Sequence, residues 1–326
     1  MRLEMREMST CNPSQAGEFV RVQVSAMRLE SPDVLSMELR DFHGLELPPA
    51  PPGSHIDVSL REGLTRPYSV VRGDKGTYVL AVKRESSSRG GSAHVHERLR
   101  VGDVIQVSKP HNHFALAEGT GPCVLIAGGI GITPLLPMVR ALERAGRPWR
   151  LHYAAKDIAK APFARELRQL GERVIMHCSQ TAGRLDLAKL VANAEPETHF
   201  YCCGPASMLD DFAEATRAVE PARVHTERFG PAALPADSSS FEVQLAKSAQ
   251  RIVVGSDISI LDALLQSGVN VDYSCRQGIC GACEVRVLEG VADHRDEILT
   301  DAERSSNKTM MVCCSRARSR TLVLDL

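Results

Sequence analysis

The chain has 326 residues, a formal net charge of -1 from 39 basic and 40 acidic residues, and ten cysteines. This length corresponds to two or three domains of roughly 100 to 200 residues each. The near-zero charge excludes an electrostatic nucleic-acid binder, because no excess of lysine and arginine is available to displace counterions from phosphates. The 43% hydrophobic fraction excludes a disordered chain, and the cysteines are too few for a disulfide scaffold of this length.

The N-terminus and one uncharged stretch are the places where a targeting or membrane segment could lie. The first seventeen residues lack the apolar core of a secretory signal. Residues 119–139 carry no charge, but their glycines and prolines are typical of a buried strand, a turn and a helix start. We therefore expect a cytoplasmic, monomeric protein that contacts neither membrane nor nucleic acid.

Residues 18–116 contain several short β-branched runs separated by glycine, proline and aspartate. Many short strands at this spacing predict an antiparallel sandwich or barrel. One helix interrupts the strands. We expect Ser92 to cap its start and Arg100 to lie near its end.

Two motifs in this segment carry chemistry. Arg66-Pro67-Tyr68-Ser69 combines a cation, a flat ring and a hydroxyl at the start of a strand. Gly90-Gly91-Ser92 leaves bare backbone N–H groups at a helix start, which favours an anion site. Taken alone, the first motif is more typical of a strand edge and the second of a turn.

From Cys123 onward, short apolar strands alternate with helices, which predicts a parallel sheet with helices on both faces. The glycine-rich turn at 128–134 follows the first strand, where such a sheet binds a dinucleotide. It lacks the third glycine of the G-x-G-x-x-G pattern, so a turn without a ligand is the alternative. Thr133 is the expected cap of the next helix, and Gly146 its C′ residue.

A second turn, Cys203-Gly204-Pro205, follows the fourth strand of this sheet. It opens a helix at the carboxyl edge, where ligands bind in this architecture. Simple packing is the alternative interpretation of Cys202 and Cys203. Residues 230–240 are rich in proline, alanine and serine, which predicts an interdomain linker.

Four cysteines near the C-terminus share the spacing C-x4-C-x2-C-x29-C: Cys275, Cys280, Cys283 and Cys313. This is the spacing of plant-type ferredoxins, in which four thiolates hold a [2Fe-2S] cluster. Gly278 and Gly281 would let backbone N–H groups approach the sulfurs. The alternatives are four unrelated cysteines or a zinc site, which usually pairs its ligands in two short knuckles. Cys314 is then a packed hydrophobic residue.

Strand-like runs surround these cysteines and predict a compact domain. Ser259 is the expected cap of one helix in it, and Gly268 is the expected C′ residue of the same helix. The segment 241–326 is long enough to form one domain.

The order of these motifs, together with Phe229, resembles the phthalate dioxygenase reductase family. That family includes vanillate O-demethylase reductases and belongs to the ferredoxin-NADP reductase superfamily. The resemblance starts at about residue 18 and continues to the C-terminus. It implies an N-terminal extension at 1–17, an antiparallel β-barrel FMN domain at 18–116, an α/β parallel-sheet NAD domain at 117–229, the linker at 230–240 and an α+β β-grasp plant-type ferredoxin domain at 241–326.

The resemblance also implies the flavin contacts. Tyr68 would lie against the flavin ring and Arg66 on its phosphate. The complete implied FMN set is Arg66, Tyr68, Ser69, Ala81, Val82, Lys83, Gly90, Gly91, Ser92, Thr133 and Phe229. FMN is implied over FAD, because the Gly-Gly-Ser loop leads straight into its helix without an evident aromatic residue to stack on adenine.

Five residues would shape the nicotinamide pocket: Gly129, Gly131, Cys203, Gly204 and Pro205. The family resemblance favours NADH as the donor. The residues themselves leave NADPH open, because Asp157 could bind a ribose 2′-hydroxyl whereas Lys156 could neutralise a 2′-phosphate.

The resemblance implies the reductase component of a Rieske-type aromatic-ring oxygenase or O-demethylase system. NADH gives two electrons as hydride and a [2Fe-2S] cluster passes one, so the flavin connects them and no side chain need act as acid, base or nucleophile. One alternative is the reductase of a di-iron monooxygenase, whose ferredoxin domain generally lies at the N-terminus. Another is a non-enzymatic redox sensor, which would need an output segment, and the three domains leave no unassigned segment beyond the first 17 residues.

Overall fold

The computed structural model describes residues 19–61, 64–74, 76–86, 90–229, 240–256, 258–273, 278, 281–296 and 298–326. The chain divides into two compact units, Met1–Glu227 and Arg228–Leu326. Among the residues in these ranges, no helix is long and apolar enough to cross a membrane. The predicted N-terminal extension and most of the predicted linker lie outside the described residues.

The first unit begins with a closed antiparallel barrel in the order β1-β2-β5-β4-β3-β6. Its elements are β1 Phe19–Ser31, β2 Val34–Asp41, β3 His55–Arg61, β4 Leu64–Asp74, β5 Thr77–Lys83, α1 Gly91–Glu97 and β6 Val104–Ser108. Alternate residues of each strand point inward, as Val22 and Val24 do, and these are fully buried. The predicted antiparallel barrel is confirmed.

A parallel sheet follows in the same unit, in the order β11-β10-β7-β8-β9. Its strands are β7 Cys123–Gly128, β8 Trp149–Ala155, β9 Val174–Cys178, β10 His199–Cys203 and β11 Val224–Glu227. Its helices are α2 Ile132–Arg144, α3 Ala164–Arg168, α4 Ser179–Ala182, α5 Leu187–Ala192 and α6 Ala206–Ala215. Helices α2 and α3 share one hydrophobic cluster with Tyr153, and α5 and α6 share another with Ile126. Helices therefore cover both faces, as predicted.

The second unit is a mixed sheet in the order β13-β12-β18-β14-β16 with a separate two-stranded ribbon, β15-β17. Its elements are β12 Phe241–Leu245, β13 Arg251–Val254, α7 Ile260–Gln266, β14 Glu284–Glu289, β15 Ala292–Asp293, α8 Asp301–Ser306, β16 Thr309–Met311, β17 Arg316–Ala317 and β18 Thr321–Leu324. Strands β12 and β18 are parallel neighbours at its centre. Helix α7 packs its apolar face, including Ile260 and Leu264, into the core of this sheet. The predicted α+β ferredoxin domain is confirmed.

Two predicted helix boundaries agree with the structure. Ser259 caps α7 and accepts a hydrogen bond from the backbone N–H of Asp262, and Gly268, at φ 77°, follows its C-cap residue. Gly146, at φ 62°, lies just after the end of α2. In each case a small polar or glycine residue satisfies a backbone group that the helix leaves without a partner.

The predicted caps Ser92 and Thr133 are wrong, because a glycine precedes each helix and takes the N-cap position. Gly90 is the N-cap of α1 at φ 93°, and the Ser92 hydroxyl instead accepts a hydrogen bond from the backbone N–H of Glu85. Helix α2 begins one residue before Thr133, and the Thr133 hydroxyl donates to the carbonyl of Ile130. A glycine needs no side-chain acceptor to occupy such a position.

Candidate functional site

The Arg66-x-Tyr68-Ser69 motif lies on β4, where Tyr68 is opposite Ile56 and Ser69 is opposite His55 of β3. Because side chains alternate along a strand, Arg66 and Tyr68 point to the same side. Burial raises the pKa of Tyr68 to about 12, while the nearby Arg66 lowers it, so the phenol is neutral at physiological pH. A neutral ring next to a cation suits the predicted contacts with a flavin ring and its phosphate.

The structure brings Arg66 and the Gly-Gly-Ser turn together. A Cβ atom on Gly91 would lie 2.7 Å from Cγ of Arg66, so the helix start and the arginine stem are already in close contact. Gly90 has a left-handed backbone that other residues rarely adopt. A cation and the backbone of a glycine turn thus meet at one place, and these are the two kinds of group that bind phosphate in proteins.

The three residues predicted from β5 differ in what they can offer a flavin. Ala81 and Val82 are buried side chains of the first unit, so Val82 can contribute to a site only through its backbone. A ring nitrogen of His96 lies 2.9 Å from the Val82 carbonyl oxygen, which ties α1 to β5. Lys83 is partly exposed and lies 3.3 Å from a carboxylate oxygen of Glu85. Their contacts with FMN remain predictions.

The two turns predicted to bind NADH lie directly against each other. Cys203 is the last residue of β10, which pairs in parallel with β7, and Gly204 follows it. A Cβ on Gly128 would lie 2.5 Å from Cδ of Pro205, and one on Gly204 would lie 2.7 Å from the sulfur of Met208. A Cβ on Gly131 would overlap the carbonyl group of Cys203. The glycines therefore permit a close backbone approach at the carboxyl edge of the sheet, where a dinucleotide is bound.

Replacing Gly131 by alanine should destabilise the first unit by about 3 kcal/mol or more, because the added methyl group meets backbone and not a flexible side chain. Gly131 has φ -60°, so the loss is purely steric. The matched control is Gly129→Ala, which has φ 56° and open space around a Cβ. That substitution should lower the free energy of unfolding by only about 1 kcal/mol. Chemical denaturation followed by the fluorescence of Trp149, the single tryptophan, measures both; equal losses would contradict the close approach.

Glu227 is a buried carboxyl that sequence reasoning missed. It ends β11 directly opposite Cys203, is only 7% exposed, and its Oε2 atom has no hydrogen-bond partner in the part of the chain that the structure describes. Burial raises its pKa to about 8, and burial together with Glu227 raises the pKa of the Cys203 thiol. At neutral pH the pocket edge therefore carries a neutral carboxylic acid and a neutral thiol. In the sequence, Glu227 is simply a polar residue after a short strand, and only the strand register places it beside Cys203.

Three further predicted residues are Thr133, Phe229 and Asp157. Thr133 is 2% exposed within α2. Phe229 belongs to the second unit, is 40% exposed, and its predicted role in closing the flavin site stays a prediction. The carboxylate of Asp157 accepts a hydrogen bond from the N–H of Ala159 and lies 3.5 Å from the Lys160 ammonium. Asp157 thus caps the turn that follows it, which competes with binding a ribose hydroxyl.

Two of the four predicted cluster ligands lie among the described residues. Cys283 and Cys313 are each 2% exposed. Strand β14 pairs with β16, and the N–H of Val312 donates to the carbonyl of Cys283, so the two cysteine positions are held side by side. Cys275 and Cys280 lie outside the described residues.

The loop glycines show why this segment suits a cluster. Gly278 and Gly281 both have left-handed backbones, at φ 79° and 76°. A Cβ on Gly278 would lie 2.5 Å from the sulfur of Cys314 and 2.9 Å from Cα of Asp296, so no larger residue fits. Cys314 is 3% exposed and is packed behind this loop. Paired buried thiols beside a glycine-tight loop match the donor set of an iron-sulfur cluster.

Comparisons with known proteins agree with this geometry. Residues 243–318 match the family described as "2Fe-2S iron-sulfur cluster binding domain", a range that includes all four predicted ligands. The chain is 47% identical over 94% of its length to phenoxybenzoate dioxygenase subunit beta of Ectopseudomonas oleovorans and covers 97% of that protein. It is 40% identical over 94% of its length to vanillate O-demethylase oxidoreductase of Pseudomonas sp. (strain HR199) and covers all of it.

A solved structure supports the same assignment over the whole fold. Phthalate dioxygenase reductase, described as a modular structure for electron transfer from pyridine nucleotides to [2Fe-2S], is 35% identical with a TM-score of 0.80. The match covers 97% of this chain and 100% of that one. The resemblance in the sequence is thereby confirmed: the chain belongs to the phthalate dioxygenase reductase family and is an oxidoreductase with a [2Fe-2S] cluster binding domain.

Proposed function

We propose that this protein is the reductase of a Rieske-type aromatic-ring oxygenase or O-demethylase, carrying electrons from NADH through FMN to its cluster and then to the oxygenase. When bound, the flavin supplies the conversion between a two-electron donor and a one-electron acceptor. The chain's own residues then have to position the cofactors and exclude water between them.

One observation carries the proposal. Strand β4, which would hold the flavin, is packed against helix α2, which follows the glycine turn at 128–131, within one unit. Val71 of β4 shares a hydrophobic cluster with Ile132, the first residue of α2. Arg140 of α2 also donates a hydrogen bond of 3.0 Å to the Val71 carbonyl. The motif that would hold the flavin and the turn that would hold the nicotinamide are thus fixed against each other, as hydride transfer between two bound cofactors requires.

The side chains have supporting roles. Arg66 and the backbone of Gly90 and Gly91 would hold a phosphate group, and Tyr68 would pack against the flavin ring. The Gly131–Cys203 contact would leave a narrow space for the nicotinamide, with the neutral Glu227 carboxyl at its edge. Cys275, Cys280, Cys283 and Cys313 would hold the cluster.

The partner class rests on domain order and on the relatives. The relatives are named as parts of dioxygenase and O-demethylase systems, which supports an oxygenase as the electron acceptor. A C-terminal ferredoxin domain favours a Rieske oxygenase over a di-iron monooxygenase. We also propose a cytoplasmic monomer, an environment that suits the free thiols, such as Cys178, which is partly exposed.

Steady-state oxidation of NADH with cytochrome c as a one-electron acceptor tests the proposed relay. We expect rapid turnover with NADH and at least about tenfold lower kcat/KM with NADPH; an absence of turnover would support a redox sensor instead. The purified reductase should then be mixed with a Rieske oxygenase or with a di-iron hydroxylase. Reduction of the di-iron protein alone would contradict the proposed partner while leaving the reductase activity in place.

A further inference from the structure

A cavity of about 530 Å³ opens between the C-terminal end of β1 and the segment that follows β8 and includes α3. Its volume lies within the range of small-molecule sites, which is about 300 to 1,000 Å³. Neither the glycine turn at 128–131 nor the turn at 203–205 lines it, so it is distinct from the two turns predicted to shape the nicotinamide pocket.

Three arginines line this cavity: Arg28, Arg165 and Arg168. None of them forms an ion pair or a side-chain hydrogen bond with another residue in the described ranges. Of the two acidic residues in the lining, Glu166 pairs with Arg140, whereas Glu30 accepts a 2.6 Å hydrogen bond from the neutral Ser36 hydroxyl and keeps its charge. Three arginines against this one carboxylate leave a net positive charge in the lining.

The lining also contains Gln169 and several apolar side chains, among them Phe163, Ile158, Ala161 and Leu29, which is 65% exposed. Phe163 has a left-handed backbone at φ 59°, a conformation that a bulky residue rarely adopts. Such strain persists only where the surrounding structure imposes it, and it is concentrated at functional sites.

Hydrogen bonds also connect the cavity lining to the glycine turn at 128–131. The Tyr153 hydroxyl lies within hydrogen-bond distance of two carbonyls, Pro162 at 3.2 Å and Gly129 at 3.0 Å. Pro162 immediately precedes Phe163, and Gly129 belongs to the turn of the predicted nicotinamide pocket. A ligand that shifts the Phe163 segment would therefore act on Gly129 through a single buried hydroxyl.

We propose that this cavity is an effector site for a small aryl carboxylate. Planar guanidinium groups bind carboxylates through two parallel hydrogen bonds, and the lining contains the apolar side chains of Leu29, Ile158 and Phe163, which can contact a ring. Binding is non-covalent, and the resulting shift at Gly129 changes the apparent affinity for NADH.

Titration calorimetry of the cofactor-loaded protein with benzoate tests the site. Arg165→Gln and Arg168→Gln should each weaken benzoate binding about tenfold, in line with the loss of one charge-assisted pair. Arg150→Gln removes an exposed arginine from a different cavity and should leave the affinity for benzoate unchanged. Acetate and inorganic phosphate, which lack a ring, should bind at least about tenfold more weakly than benzoate.

The functional effect is measured as KM for NADH with and without saturating benzoate. We expect a change of about fivefold or more in the wild type and none in Arg165→Gln or in Tyr153→Phe. Equal binding of phosphate and benzoate, benzoate binding unaffected by Arg165→Gln, or an unchanged KM would overturn the proposal. Calorimetry needs no turnover, so failure here is distinguishable from failure of the reductase function.

Discussion

Cys313→Ser is expected to lower the rate of cytochrome c reduction by at least about 100-fold, while NADH reduces the flavin within about twofold of the wild-type rate. A serine oxygen is a poor replacement for a thiolate at iron, and Cys313, in the turn after β16, is the proposed ligand that the fold brings in from far along the chain. The flavin and nucleotide segments belong to the other compact unit, so hydride transfer should not depend on this residue.

The adjacent Cys314 provides the matched control. It is as buried as Cys313, but its sulfur is packed against Gly278 and lies 3.8 Å from the Met311 carbonyl. Cys314→Ser should therefore keep most of the cytochrome c activity and the visible absorption of the cluster. Stopped-flow absorption separates flavin reduction from cluster reduction in both variants. If Cys314→Ser loses the cluster and Cys313→Ser keeps it, the assignment of the fourth ligand is reversed.

The sequence predicted the modules well because each has a strong local signature. The cysteine spacing identified the ferredoxin domain, since a cluster loop tolerates few alternatives. Alternating apolar runs identified the barrel, and apolar strands alternating with helices identified the parallel sheet, because side-chain burial repeats with the period of the element. These features depend on neighbours in the chain, so they can be read from the chain alone.

Features that depend on contacts across the fold were missed or misplaced. Ser92 and Thr133 have good capping side chains, but Gly90 and Gly131 occupy the N-cap positions of the two helices. The pairing of Cys203 with Glu227 depends on the register of two parallel strands. No local pattern encodes that register, so the one strongly perturbed carboxyl of the candidate site could be found only from the structure.

Glu227→Gln is expected to remove a pH dependence of stability that the wild type carries. Its pKa is about 8 in the folded protein against an ordinary value of 4.5, so between these pH values the folded state holds a proton that the unfolded state has released. The stability contributed by the neutral carboxyl is complete below pH 4.5 and is lost as the pH rises to about 8. Within this window the free energy of unfolding should fall by about 1.4 kcal/mol per pH unit.

Comparing wild type and Glu227→Gln at pH 5.5 and pH 7.5 isolates this effect, because all other titrating groups are shared. The free energy of unfolding of Glu227→Gln, relative to that of the wild type, should rise by about 3 kcal/mol from pH 5.5 to pH 7.5. Denaturation followed by Trp149 fluorescence reports on this sheet directly, since Trp149 begins β8. Glu172→Gln, an exposed glutamate of the same unit, should show no such growth. Parallel pH profiles for wild type and Glu227→Gln would mean that the carboxyl is ionised in the folded protein, and the nicotinamide pocket would then carry a negative charge at its edge.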